Sequence, residues 1–98
     1  MELGQALARA REKRGMTQRE LAERANVSKT YLSQIENGKK EPLISTLRAI
    51  AAAIDVPLPV LLFLSMSELD VSPAKRDAYR MLAPSLLNII DHLFLEQK

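Results

Sequence analysis

Ninety-eight residues with a net charge of +2 make one domain, or one domain with an extension. Apolar residues are 47% of the chain and aromatics only 4%, with Ala and Leu abundant, which favours helices over a β-sandwich. No cysteine is present, which excludes a disulfide framework, a thiolate metal site and a cysteine nucleophile and fits a reducing cytoplasm.

Leu3, Leu7 and Ala10 recur at helical spacing up to Arg14, and Gly15 closes that first helix. Nothing before it resembles a secretion signal, because Glu2 opens the chain and it is polar again by Gln5. Thr17, with Glu20 three residues on, is a capping box that opens a short helix through Leu21, Ala22 and Ala25. Asn26 falls where the chain must reverse, and Asn tolerates the left-handed conformation needed there. Ser28 is the next expected N-cap. Leu32 and Ile35 form the buried edge of a third helix, which ends at Asn37-Gly38. Two short helices joined by about three residues have helix-turn-helix spacing.

Lys39–Pro42 reads as a basic loop. Ser45 is expected to cap a fourth helix carrying Leu47, Ile50, Ala51 and Ile54 on one face. Pro57 and Pro59 punctuate, with Pro59 in the first turn of a fifth helix through Val60–Leu64. The polar stretch Ser65–Ser72 suggests a boundary, dividing the chain into 1–64 and 65–98. Beyond it Ser72-Pro73 starts a short charged helix, Ala74–Leu82, which Pro84 is expected to break or kink. Leu86, Leu87, Ile89, Ile90, Leu93, Phe94 and Leu95 then crowd one terminal helix. No apolar run approaches the roughly 20 residues that span a bilayer, so no membrane is expected.

The charge is unevenly spread. Residues 1–54 hold ten Lys/Arg against six Asp/Glu, and residues 55–98 hold four against six. A basic N-terminal half suits a polyanionic partner.

Gly15-Met16-Thr17-Gln18, Glu20-Leu21-Ala22, Val27-Ser28, Leu32-Ser33-Gln34-Ile35-Glu36-Asn37-Gly38, Pro42 and Leu47 together resemble the Xre/Cro type of DNA-binding domain. That resemblance covers roughly Leu3–Leu64. It implies a five-helix lambda-repressor-like DNA-binding domain and says nothing of the tail; with the helical pattern beyond residue 64, the expectation is an all-α chain whose C-terminal helical extension serves dimerisation. The resemblance also implies a sequence-specific transcriptional regulator, a repressor on this reading, whose partner is double-stranded DNA.

The major groove admits one helix, whose N-terminal residues reach base edges. Ser28, Lys29, Thr30 and Ser33 lie on the early turns of the third helix, opposite Leu32 and Ile35, and Gln34 lies one step round. Lys29 can donate to guanine, Thr30 offers a hydroxyl and a methyl, Ser33 a hydroxyl, and Gln34 an amide for adenine or a phosphate. Gln18, at a helix N-terminus, suits a phosphate; the resemblance implies that it also braces the recognition helix. Asn37, Lys39 and Lys40 are expected to meet backbone phosphates, and Tyr31 either joins them or packs inward. Arg11 and Glu36 sit on otherwise apolar faces, and the resemblance implies an ion pair between them. Such a pair is scaffold, and removing one partner strands a charge at a cost of about 3–5 kcal/mol.

Enzymatic readings lack parts. His92 is the only histidine, no glycine loop could cradle phosphate, and Glu20 with Glu23 reads as helix surface. No cofactor or metal is expected. A small core makes oligomerisation a plausible source of stability. The terminal apolar arc exceeds what one domain face needs, so Leu82, Leu86, Ile89, Ile90, Leu93 and Phe94 are the expected interface of a homodimer. Two half-sites of a palindromic operator one turn apart lie about 34 Å from each other. The alternative is an antitoxin or other interaction module, whose C-terminal helix binds a protein partner while the N-terminal domain autoregulates.

Overall fold

A computed structural model describes residues 2–96. Among them are six α-helices and no strand: α1 (Leu3–Lys13), α2 (Gln18–Ala25), α3 (Lys29–Glu36), α4 (Ile44–Ala53), α5 (Leu58–Ser65) and α6 (Arg76–Ile90). Each of the first four ends the same way, because its last carbonyls need partners. A residue one or two places beyond each helix turns left-handed, at Gly15, Asn26, Gly38 and Asp55. The following amide then reaches back: Met16 to the Arg11 carbonyl, Val27 to Ala22, Lys39 to Gln34 and Val56 to Ala51. Asn and Asp carry the conformation at modest cost, their short polar side chains being the ones that tolerate it.

The helix starts are less uniform. Thr17 and Glu20 form the reciprocal capping box, and the Ser28 hydroxyl accepts from the Tyr31 amide. Ser45, expected to cap α4, does not. The helix begins two residues earlier with Leu43 at the cap position and no side-chain cap. The Leu43 carbonyl already accepts the Leu47 amide at 2.9 Å, which leaves Ser45 inside the first turn, where its hydroxyl has no orphan amide to reach. Pro57 caps α5, with Pro59 in the first turn.

The core runs through the first five helices and one element more. Leu7, Leu21, Leu32, Ile35, Ile50, Ile54 and Leu61 are fully enclosed, and so is Leu95. Each such side chain contributes about 1.5–3 kcal/mol of burial.

Leu95 arrives by an unexpected route. The separate short helix Ala74–Leu82 does not form. Residues Glu68–Asp70 and Pro73–Lys75 make 3₁₀ turns, and α6 then runs unbroken through Pro84. A proline fits a helix at the loss of one bond, here the one its absent amide would have given to the Arg80 carbonyl. The start of α6 is fastened to the linker instead. The Arg80 guanidinium donates to both Glu68 carboxylate oxygens at 2.7 and 3.0 Å, and the Tyr79 hydroxyl donates to the Met66 carbonyl at 3.1 Å. Beyond α6, Asp91–Leu95 form a π-helical turn. Ile90 and Leu95, five residues apart, both pack on the core, which is the repeat of that wider helix. No single helix among the described residues is long and apolar enough to cross a membrane.

Candidate nucleic-acid interface

Helix α3 is held by its rear face. Leu32 and Ile35 are buried, and Tyr31 packs against the same cluster. At its end α1 comes so close that a Cβ on Gly4 would stand 2.5 Å from the Ile35 carbonyl oxygen and 2.6 Å from that of Glu36. Only glycine permits that approach. The Glu36 carboxylate accepts the Arg11 guanidinium at 2.8 and 3.1 Å and the Gln18 amide at 2.9 Å. Arg11 also donates to the Met16 carbonyl at 2.8 Å. One carboxylate thus ties α1, α2 and α3 together, and with Glu36 only 4% exposed it depends on those donors. Gln18 faces this pair, at the N-terminus of α2.

The front of α3 is polar. At 3.6 residues per turn, Lys29, Ser33, Asn37, Thr30 and Gln34 succeed one another round an arc of about 140°. Lys29, Thr30 and Asn37 are exposed, and Ser33 and Gln34 half-buried. Ser28 is exposed too. Its oxygen accepts a backbone bond as cap, which leaves its hydroxyl proton free to donate. The Asn37 amide donates to the Ser33 hydroxyl at 3.4 Å. The left-handed Gly38 turns the chain so that the Lys39 and Lys40 amides donate to the Gln34 carbonyl at 2.8 and 3.2 Å, and both lysine side chains are left exposed.

Charge pairing divides the surface. Every cation of α1 and its cap meets a carboxylate: Arg9 and Lys13 meet Asp91, Arg11 meets Glu36, and Arg14 meets Asp55. Among the described residues Lys75 and Arg76, at the start of the extension, make no ion pair, and neither do Arg19, Arg24, Lys29, Lys39, Lys40 and Arg48 of the first four helices and their loops. Those six lie on α2, α3, the following loop and α4. Sequence reasoning did not single out Arg19, Arg24 or Arg48; the signal was the basic excess of residues 1–54, which pairing on α1 concentrates on the other helices. Beside them Glu20 keeps its carboxyl below the ordinary value, through the bonds given by the Thr17 amide and then the Thr17 hydroxyl.

The residues expected at an interface of the extension separate into two groups. Leu82, Leu86, Ile89 and Leu93 are exposed, as is Met81. Ile90 packs on the core and Phe94 is half-buried.

A helix-turn-helix family model matches residues 7–61. The transcriptional regulator ClgR of Mycobacterium tuberculosis is 47% identical over 60 residues, which are 61% of this chain and 54% of that protein. SinR of Bacillus subtilis, an HTH-type transcriptional regulator, is 41% identical over 61 residues, 61% of this chain and 55% of that one. The immunity repressor protein of Bacillus phage phi105 is 43% identical over 56 residues, 57% of this chain and 39% of that one. The chain spans about half the length of the first two. The crystal structure of the clp gene regulator ClgR from Corynebacterium glutamicum matches with a TM-score of 0.66 at 35% identity, covering 85% of this chain and 88% of that one. That share is larger than residues 1–64 could supply, so the likeness reaches into the extension.

Proposed function

The chain belongs to the helix-turn-helix family of the Xre, lambda-repressor-like type, and from that premise we propose that it is a DNA-binding transcriptional repressor. It acts as a homodimer on a palindromic operator, with one α3 in the major groove of each half-site. The observation that carries this reading is the polar arc of α3 set among unpaired cations, on a molecule that neutralises its α1 cations. Lys29, Thr30, Ser33 and Gln34 read bases, with Ser28 donating its free hydroxyl proton. Asn37, Lys39 and Lys40 hold phosphates, and Gln18 presents a phosphate-facing helix end while bracing Glu36. Tyr31 supports the helix from behind.

Residues 1–64 form the DNA-reading unit and residues 65–98 the dimerisation element. Leu82, Leu86 and Ile89 recur at spacings of four and three along α6, which is the seam spacing of paired helices. Exposed Leu93 continues the apolar strip, while Ile90 and Phe94 brace it from within. The operator places the working protein in the cytoplasm.

Selection of bound sequences from random DNA, followed by mobility shifts across a salt series, tests the reading. Binding falls steeply with salt. Lys29→Ala weakens the selected site by about 1–3 kcal/mol and relaxes one base position. Equal losses on selected and random DNA would remove Lys29 from base reading, and no salt-sensitive binding at all would defeat the proposal. A chain that sediments as a monomer would leave the strip to a different protein, as in an antitoxin.

A further inference from the structure

Asp91 occupies the first position of the π-helical turn, directly after the apolar strip of α6. Its carboxylate lies against α1: one oxygen is 3.3 Å from the Lys13 ammonium and the other 3.6 Å from the Arg9 guanidinium. The oxygen facing Arg9 is shut off from solvent and accepts no hydrogen bond. A carboxylate oxygen gives up water at a cost, and the two cations offset that cost only while the turn stays seated on α1. Ile90 and Leu95, on either side of Asp91 in the chain, are packed into the core.

Helix α1 therefore holds two things. Arg9 and Lys13, four residues apart, share one face and grip Asp91. Arg11 projects from roughly the opposite side and grips Glu36 at the end of α3. The strip that would meet a second copy and the helix that would enter the groove are thus referred to one rigid rod. In a symmetric dimer the angle of that rod to the seam sets where the two α3 helices stand.

We propose that Asp91 is a positioning residue that fixes the half-site spacing the dimer accepts. The inference rests on the homodimer reading above and adds a role in specificity for a side chain that touches no base. With the carboxylate neutralised, Arg9 and Lys13 repel each other beside the π-helical turn, which loses its polar tie to α1, and the two DNA-reading units settle at more than one separation.

The test uses duplexes carrying the selected half-sites at their natural spacing and with one to four base pairs inserted, together with a duplex holding a single half-site. The unaltered protein binds one spacing sharply better than its neighbours. Asp91→Asn keeps the dimer mass and the single half-site affinity, while its preference for the natural spacing over the next falls about tenfold. Arg9→Gln with Lys13→Gln, which dismantles the same contact from α1, gives the same flattened profile and carries the test if Asp91→Asn folds poorly. An unchanged profile at unchanged mass and half-site affinity overturns the inference. A monomeric unaltered protein overturns instead the dimer reading beneath it.

Discussion

The DNA-reading unit and the extension leave opposite chemistry uncovered. On α2, α3 and α4 the exposed groups include cations that make no ion pair and a helix face of hydroxyls and amides, with Glu20 and Glu23 beside them on α2. On α6 Arg80 is paired with Glu68 and Asp77 and Arg76 donates to the Glu68 and Val71 carbonyls, and the large side chains left open along the helix are apolar, chiefly leucine. On the proposed function the difference reflects two kinds of partner. A polyanion is met by charge that is left unpaired, whereas a second apolar helix is met by surface that water covers poorly. Each region also hides its support: Glu36 and Gly4 lie behind the reading helix, and Ile90 and Leu95 beneath the strip.

The largest expected effect breaks the reading unit from behind. Glu36→Ala leaves Arg11 only the Met16 carbonyl and the exposed Glu12 carboxylate 3.7 Å away and frees Gln18, and it should cost about 3 kcal/mol of stability. Urea denaturation measures it, with a mobility shift reporting that α3 has lost its seat. Gly4→Ala follows at about 1–3 kcal/mol, because its Cβ would meet backbone carbonyls, which cannot swing aside as a flexible side chain can. A loss below about 0.5 kcal/mol would show that α1 and α3 separate easily, and that the unit is looser than the comparison requires.

Those two positions also mark where the sequence was readable. The Thr17–Glu20 box, left-handed Asn26, the Ser28 cap and buried Leu32 and Ile35 all appear in the structure, since each signal lies within one or two turns of chain. The composition of the α3 face was legible for the same reason. Gly4 was not, because what makes it obligatory is a carbonyl 31 residues away. Ser45 misled because serine before an apolar run is a good cap signal, yet the Leu43–Leu47 backbone bond had already started the helix. Pro84 misled in the other direction. Its tolerance depends on anchors at Glu68 and Leu95 that lie outside the local window. Asp91 and Asp55, both paired across long sequence distances, were invisible as contacts.

Breaking the other side should look different. Leu93→Asp alters a side chain that is 66% exposed, so the intrinsic stability of the single chain should move by no more than about 0.5 kcal/mol. Its sedimentation mass should drop from that of two chains to that of one, and its melting temperature should stop rising with protein concentration. An unchanged mass would place the interface elsewhere and dissolve the contrast between the two regions.

The smallest effect sharpens the comparison, because each region carries one carboxyl held low by a local donor. Glu20 is lowered by Thr17 at the start of α2, and Glu68 by the Arg80 guanidinium at the start of α6, both from an ordinary value of 4.5. A carboxyl with a depressed folded value stabilises above its unfolded value. That contribution fades as pH falls through the folded one. Stability should therefore hold from neutrality down to the ordinary carboxyl range and decline only below it. Both groups are exposed, so the decline belonging to either one is small. The regional assignment is tested by following the two carboxyl resonances in an NMR titration. Thr17→Ala, which removes the hydroxyl but keeps the amide, should raise Glu20 part of the way toward its ordinary value and leave Glu68 low, whereas Arg80→Ala should raise Glu68 and leave Glu20 low. If either substitution moved both resonances, the capping box of α2 and the anchor of α6 would be coupled through the core, and the two regions would be a single cooperative unit with two faces.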